Sequence, residues 1–202
     1  MKADSGRRAR PQAAGMRHTD NVLGALSLVV ADRTFDAIST LGSLSPSDAI
    51  ALSALQQFLD RPSIDKLAQV LGLSHSGAVR LVDRLAAANL VRRASGLDRR
   101  ESAIVLTAAG RRAADRVVKA RSDTLAWATA RLSAEDREAL DRVAGQILAG
   151  MVRGPGATRW ICRVCDLAAC GRARGYCPVA RESGRRYGPI ADGRVLTGPS
   201  SS

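Results

Sequence analysis

The chain has 202 residues, 46% of them hydrophobic and 25% charged. That suits one domain with an appendage and excludes a wholly disordered tail protein. Its 31 Lys and Arg face 19 Asp and Glu, a net charge of +12, so the partner to expect is a polyanion, either nucleic acid or an anionic membrane surface. Arginine carries nearly all of the positive charge, with Lys2, Lys66 and Lys119 the only lysines, a bias that a GC-rich coding sequence would also produce.

No apolar run approaches the ~18–20 residues of a membrane span. The best, residues 22–31, is followed by Asp32 and Arg33. The first 20 residues are polar and lack the apolar stretch of a signal peptide, which leads to a cytoplasmic protein with reduced thiols and no membrane partner. Aromatic residues make up only 3% of the chain, against single-strand binding by base stacking. Double-stranded DNA is the more natural polyanion.

Residues 1–20 read as a disordered basic arm. From about residue 21 to 40, Val22, Leu23, Leu26, Val29, Val30, Phe35 and Ile38 repeat at helical spacing. Ser45, Pro46 and Asp48 form the capping-box start of a second helix running to about Phe58, before Arg61 and Pro62 break it. A third helix, about 64–71, has Ser63 as its cap and Gly72 as its stop. Ser74 caps a fourth reaching about Ala88, with Val79, Val82 and Leu85 on one side and His75, Ser76, Arg80 and Arg84 on another.

Two helices joined by a short Gly-containing turn are a helix-turn-helix signature, although an ordinary helical hairpin has the same spacing. Residues 90–93 read as a strand, 94–99 as a turn and 101–106 as a second strand. A hairpin directly after a helix-turn-helix is a wing. Thr107 then caps a long helix to about Arg131, and Ser133 caps another to about Val152. The latter carries Leu140, Val143, Ala144, Ile147, Leu148 and Met151 as one apolar stripe that needs a partner.

Residues 21–152 resemble the multiple-antibiotic-resistance regulator (MarR) family of winged-helix repressors. The most specific stretch is 98–110, with an Asp-x-Arg at Asp98 and Arg100 and a Leu-Thr-x-x-Gly at Leu106, Thr107 and Gly110. Residues 81–85 (Leu-Val-Asp-Arg-Leu) and 89–93 (Asn-Leu-Val-Arg-Arg) match the end of that family's recognition helix and the entry to its wing. Asn89 stands where Gly is usual, and both tolerate a left-handed helix end. The resemblance implies an obligate homodimer on a pseudo-palindromic operator, repression as the mode of regulation, and a small phenolic or anionic effector between the dimer helices and the DNA lobe.

The charge distribution agrees. Residues 74–112 hold eight arginines against Asp83, Asp98 and Glu101, a net +5. Base reading is assigned to Ser74, His75, Ser76 and Arg80, since Arg pairs bidentately with guanine. Arg84, Arg92 and Arg93 are assigned to phosphates. At the wing tip Asp98 orients Arg100 toward the minor groove, with Arg99 sharing that role.

All four cysteines lie in one C-x2-C-x4-C-x6-C cluster, Cys162, Cys165, Cys170 and Cys177, with Pro178 following the last. Four thiolates complete a tetrahedral shell for a soft ion. The knuckle-like spacing favours zinc, and the Cys-Pro ending favours an iron–sulfur cluster. Uncoordinated thiols, or disulfides formed on oxidation, are the non-metal alternative. Metal loss could move the last long helix and so report metal or redox state.

The fold class expected is mainly α: a winged helix-turn-helix lobe (about 41–110), dimerisation helices (about 21–40 and 108–152), a cysteine-rich metal-binding segment (153–181) and a disordered tail (182–202). The functional reading is a dimeric DNA-binding regulator rather than an enzyme. A thiol or iron–sulfur oxidoreductase is the alternative, though no Gly-rich nucleotide loop or His–carboxylate pair supports it. A module docking on the transcription machinery is another.

Overall fold

The computed structural model describes residues 16–42, 44–95, 102–154 and 156–188. Helix α1 (His18–Ser39) starts earlier than the periodicity suggests. Arg17 pairs with Asp20 across 2.9 Å, and an acidic first turn suits a helix N-terminus. The last residues of the expected basic arm are therefore helical, and residues 1–15 lie outside the described set.

Helix α2 (Pro46–Gln57) begins with the reciprocal capping box, the Ser45 hydroxyl accepting from the Asp48 N–H while the Asp48 carboxylate accepts from the Ser45 N–H. Helix α3 (Ile64–Leu71) runs from the Ser63 cap to Gly72, whose φ of +67° ends it in the left-handed region. Helix α4 (His75–Ala87) is capped by the Ser74 hydroxyl. It closes at Asn89, at φ +55°, where the Leu90 N–H reaches back to the Leu85 carbonyl at 2.8 Å. Strands β1 (Val91–Ser95) and β2 (Ser102–Leu106) pair antiparallel, Val91 opposite Leu106 and Ser95 opposite Ser102. Ala94 and Ser95, expected in the turn, belong to β1.

The lobe's core comprises Leu52, Leu55, Leu67, Leu81, Val82, Leu85, Val91 and Ile104, closed by Ala113 and Ala114 of α5 (Ala108–Ala128). Each such large side chain contributes about 1.5–3 kcal/mol through burial. On α4 the core stripe is Ala78, Leu81, Val82 and Leu85, and Val79 is only half-buried. That corrects the expected face: positions 78, 81, 82 and 85 complete the helical repeat, which Val79 leaves.

Helix α1 packs along α5, with the Arg33 guanidinium 5.3 Å from the centroid of the Trp127 ring. Helix α6 (Ala134–Gly150) buries no residue of its own. Beyond it come α7 (Ala157–Ile161), α8 (Leu167–Cys170), a 3-10 turn (Arg172–Arg174) and α9 (Pro178–Tyr187). Helix α9 extends past residue 181 into the segment expected to be disordered. Glu182 holds it there by pairing with Arg185 and Arg186. Residues 189–202 lie outside the described set. No helix among the described residues is long and apolar enough to cross a membrane.

Candidate nucleic-acid interface

The Ser74 hydroxyl caps α4 by accepting from the Gly77 N–H at 3.1 Å and lies 3.3 Å from the Ser76 hydroxyl. This places Ser74, His75, Ser76 and Arg80 together on the exposed start and outer face of α4. His75 is not isolated. Its Nδ1 lies 2.6 Å from Asp65 Oδ1, tying the recognition helix to the first turn of α3.

The arginines fall into two groups. Arg84 donates to Asp48 at 3.0 Å and Arg93 to Asp83 at 2.7 Å. Both keep open edges, 55% and 44% exposed, so each can meet a phosphate while its ion pair fixes its direction. Arg80 and Arg92 are exposed and make no salt bridge among the described residues. The wing-tip residues Asp98, Arg99 and Arg100 lie outside the described residues, and the paired strands bring the chain to the edge of that segment.

The sequence did not reveal the pairing roles of three positioning residues: Asp65 with His75, Asp48 with Arg84 and Asp83 with Arg93. The capping signal at Asp48 was visible, but its second bond to Arg84 spans 36 residues, beyond any local pattern.

The Leu-Thr-x-x-Gly motif acquires a mechanical meaning. The Thr107 N–H donates to the Leu90 carbonyl at 3.0 Å and its hydroxyl to the Asn89 carbonyl at 2.7 Å. The same hydroxyl accepts from the Gly110 N–H at 2.9 Å. A Cβ on Gly110 would stand 1.8 Å from the Leu90 carbonyl oxygen, so only glycine lets α5 dock against the corner between α4 and β1. The recognition helix, the hairpin and the long helix thus meet at one point.

The cysteine segment folds back on this lobe. Gln57 at the end of α2 accepts from the Leu167 N–H at 3.0 Å, and Gln69 of α3 accepts from Arg159 at 3.4 Å. The four cysteines are thiols without a disulfide. Cys162 offers its S–H to Cys165 and Cys177, and these contacts push its thiol well above the usual range while drawing the two acceptors below theirs. Burial, and next the neighbouring Cys177, raise the Cys170 thiol.

A large apolar cavity of about 880 Å³ lies among α1, α2, α5 and α6. Phe35, Leu125 and Ile147 line it, and Arg121, Asp136 and Arg163 supply its charges.

Residues 43–101 match the MarR family. Among curated proteins no sequence matches the chain. A MarR family protein from Bacillus stearothermophilus is similar in structure, with a TM-score of 0.60, 24% identity, and coverage of 67% of this chain and 94% of that one. A MarR-family transcriptional regulator from Silicibacter pomeroyi gives 0.52 and 25%, covering 66% and 90%. A mutant of MepR from Staphylococcus aureus, determined bound to an oligodeoxyribonucleotide, gives 0.50 and 17%, covering 67% and 99%. Residues 43–101 thus match the MarR family, within a helix-turn-helix, paired strands and long flanking helices arranged as in these MarR-family structures.

Proposed function

We propose that the chain is a homodimeric transcriptional repressor that binds a pseudo-palindromic operator in double-stranded DNA. The observation that carries this reading is the start of α4. It stands exposed, anchored from behind by the Asp65–His75 contact, and is followed directly by a basic hairpin. Ser76, His75 and Arg80 read base edges in the major groove. Arg84, Arg92 and Arg93 take phosphates, and Arg100, with Asp98 and Arg99, enters the minor groove. Ser74, occupied as a cap, sets the angle of entry. The MepR relative bound to an oligodeoxyribonucleotide supports the same use of the fold.

The dimer follows from apolar surface. Leu28, Val29, Val143 and Met151 on α1 and at α6 lie between 47% and 62% exposed, more apolar surface than a monomer usually leaves open. A second copy would cover it. The cavity suits a small aromatic or anionic effector whose charge Arg121 and Arg163 would meet.

Selection of binding sites from a random duplex pool tests the reading. The expected product is a twofold-symmetric sequence with half-sites about 10 base pairs apart centre to centre, bound by two chains. No enrichment, or an asymmetric site bound by one chain, overturns it.

A further inference from the structure

The C-terminal unit raises a stability problem that its chemistry answers. Residues 157–188 form three short helices around a centre of only Val152, Cys162, Cys177 and Val179. Units below roughly 40 residues seldom hold a fold without disulfides, a metal or a partner. No disulfide is present, and half of that buried centre is sulfur.

The backbone is shaped around the same sulfurs. Cys162 and Cys165 flank a turn closed by the Cys165 N–H on the Cys162 carbonyl at 2.9 Å. Cys170 ends α8, and Gly171 and Gly175 reverse the chain at φ +64° and +76°. Cys177 caps α9, its Sγ accepting from the Ala180 N–H at 3.5 Å, the kind of bond that steadies a thiolate. Asp166, the nearest carboxylate in sequence, is spent capping α8. The set is therefore four sulfurs and nothing else.

We propose that Cys162, Cys165, Cys170 and Cys177 bind one zinc ion, which serves as the core of residues 157–188 and fixes them to both α6 and the helix-turn-helix. Among the described residues no three His, Cys, Asp or Glu side chains already stand in metal-holding geometry. Cys165 and Cys170 pack against the buried Cys162 and Cys177, and one Zn²⁺ taken up by the four thiols gives a tetrathiolate of charge −2 and releases four protons. Binding would draw the four clustered sulfurs to the separations of about 3.8 Å that a tetrahedral zinc sets. The residual negative charge would sit in a segment rich in arginine, Arg159, Arg163, Arg172 and Arg174 among them.

Placement gives the ion a consequence. Arg163 and Val164, the two residues between the first cysteines, form part of the wall of the apolar cavity. Leu167 and Arg159 bind Gln57 and Gln69 of the helix-turn-helix. Pro178 touches Gly145 of α6, 3.6 Å from where a Cβ would stand. One ion thereby orders the contacts among three parts of the molecule.

The test is titration of the full-length, reduced, metal-free chain with Co²⁺, followed by displacement with Zn²⁺. The expected result is one Co²⁺ per chain with intense tetrahedral bands and sulfur-to-metal charge transfer. Chelation should expose residues 157–188 to protease, and zinc should restore their protection. Cys170→Ser, at the half-exposed ligand, should keep the helical content and alter the cobalt spectrum. The double substitution Cys162→Ser with Cys177→Ser should weaken zinc binding by more than the roughly 10–100-fold that outer-shell partners cost. Weak octahedral bands, or a Cys170→Ser spectrum identical to wild type, overturns the proposal. So does a brown protein containing iron and sulfide, which would assign the cysteines to a cluster instead. None of these readouts depends on DNA binding.

Discussion

Arg84 on the recognition helix donates to Asp48 at 3.0 Å, and Asp48, only 6% exposed, is also the residue that closes the capping box of α2. One carboxylate therefore starts one helix and aims another. Asp48→Ala should destabilise the domain by about 2 kcal/mol, since it strands the Ser45 N–H and unpairs Arg84. Arg84→Met should cost less, below about 1 kcal/mol, because water screens the exposed guanidinium. Denaturant unfolding of the two variants checks the order.

Gly110→Ala should be the most damaging single methyl in the lobe. Its Cβ would collide with backbone, not with a side chain that could turn away. A loss above about 4 kcal/mol, or failure to fold cooperatively, is expected. Thr107→Val, which keeps the shape and removes the hydroxyl, should cost about 1–2 kcal/mol. Thermal melts followed by circular dichroism distinguish the two.

At the interface, Arg80→Ala, His75→Ala and Arg100→Ala should each weaken operator binding by about 1–3 kcal/mol while affinity for random duplex changes little. Arg92→Ala should weaken both alike and lower the slope of affinity against salt by about one counterion. Fluorescence anisotropy at several salt concentrations measures both.

Wild type should sediment as a dimer. Val29→Asp on α1 and Val143→Asp on α6 should each yield a folded monomer with no operator affinity, because each would place a charge on the exposed apolar surface assigned to the second copy. Analytical ultracentrifugation read beside circular dichroism would count against the dimer if neither variant changed its mass.

The Arg185 and Arg186 guanidiniums beside Glu182 hold its carboxyl down at about 2. A depressed carboxyl contributes stability above its ordinary value, and that contribution is lost as pH falls through the lowered one. The difference in C-terminal protease resistance between wild type and Glu182→Gln should therefore persist at pH 5 and fade between about 4.5 and 2.

Helix caps at Ser45, Ser63, Ser74, Thr107 and Ser133 were legible because each is a local bargain between a hydroxyl and an N–H three residues on. Asn89 was legible for a similar reason, as few residues accept a left-handed backbone. Asp65 and Asp83 were not, because each faces its partner across 10 residues and a turn. Val79 misled because a valine looks like core, whereas Ala78 fills that place through its position on the helix. The end of α9 was hidden by its composition: Arg185 and Arg186 read as a basic tail until Glu182 is seen between them. The return of the cysteine segment onto Gln57 and Gln69 has no local signature at all.

That return has a consequence for how the protein comes into being. Gln57 must wait for Leu167, 110 residues later in the chain, which at ribosomal speed is on the order of ten seconds. The DNA lobe can fold as it emerges, but its underside stays bare until nearly the whole described chain has been made. A nascent chain stalled before α7 would present a winged helix without its buttress. Newly made copies should therefore gain protease protection at Gln57 only after synthesis has passed the cysteines.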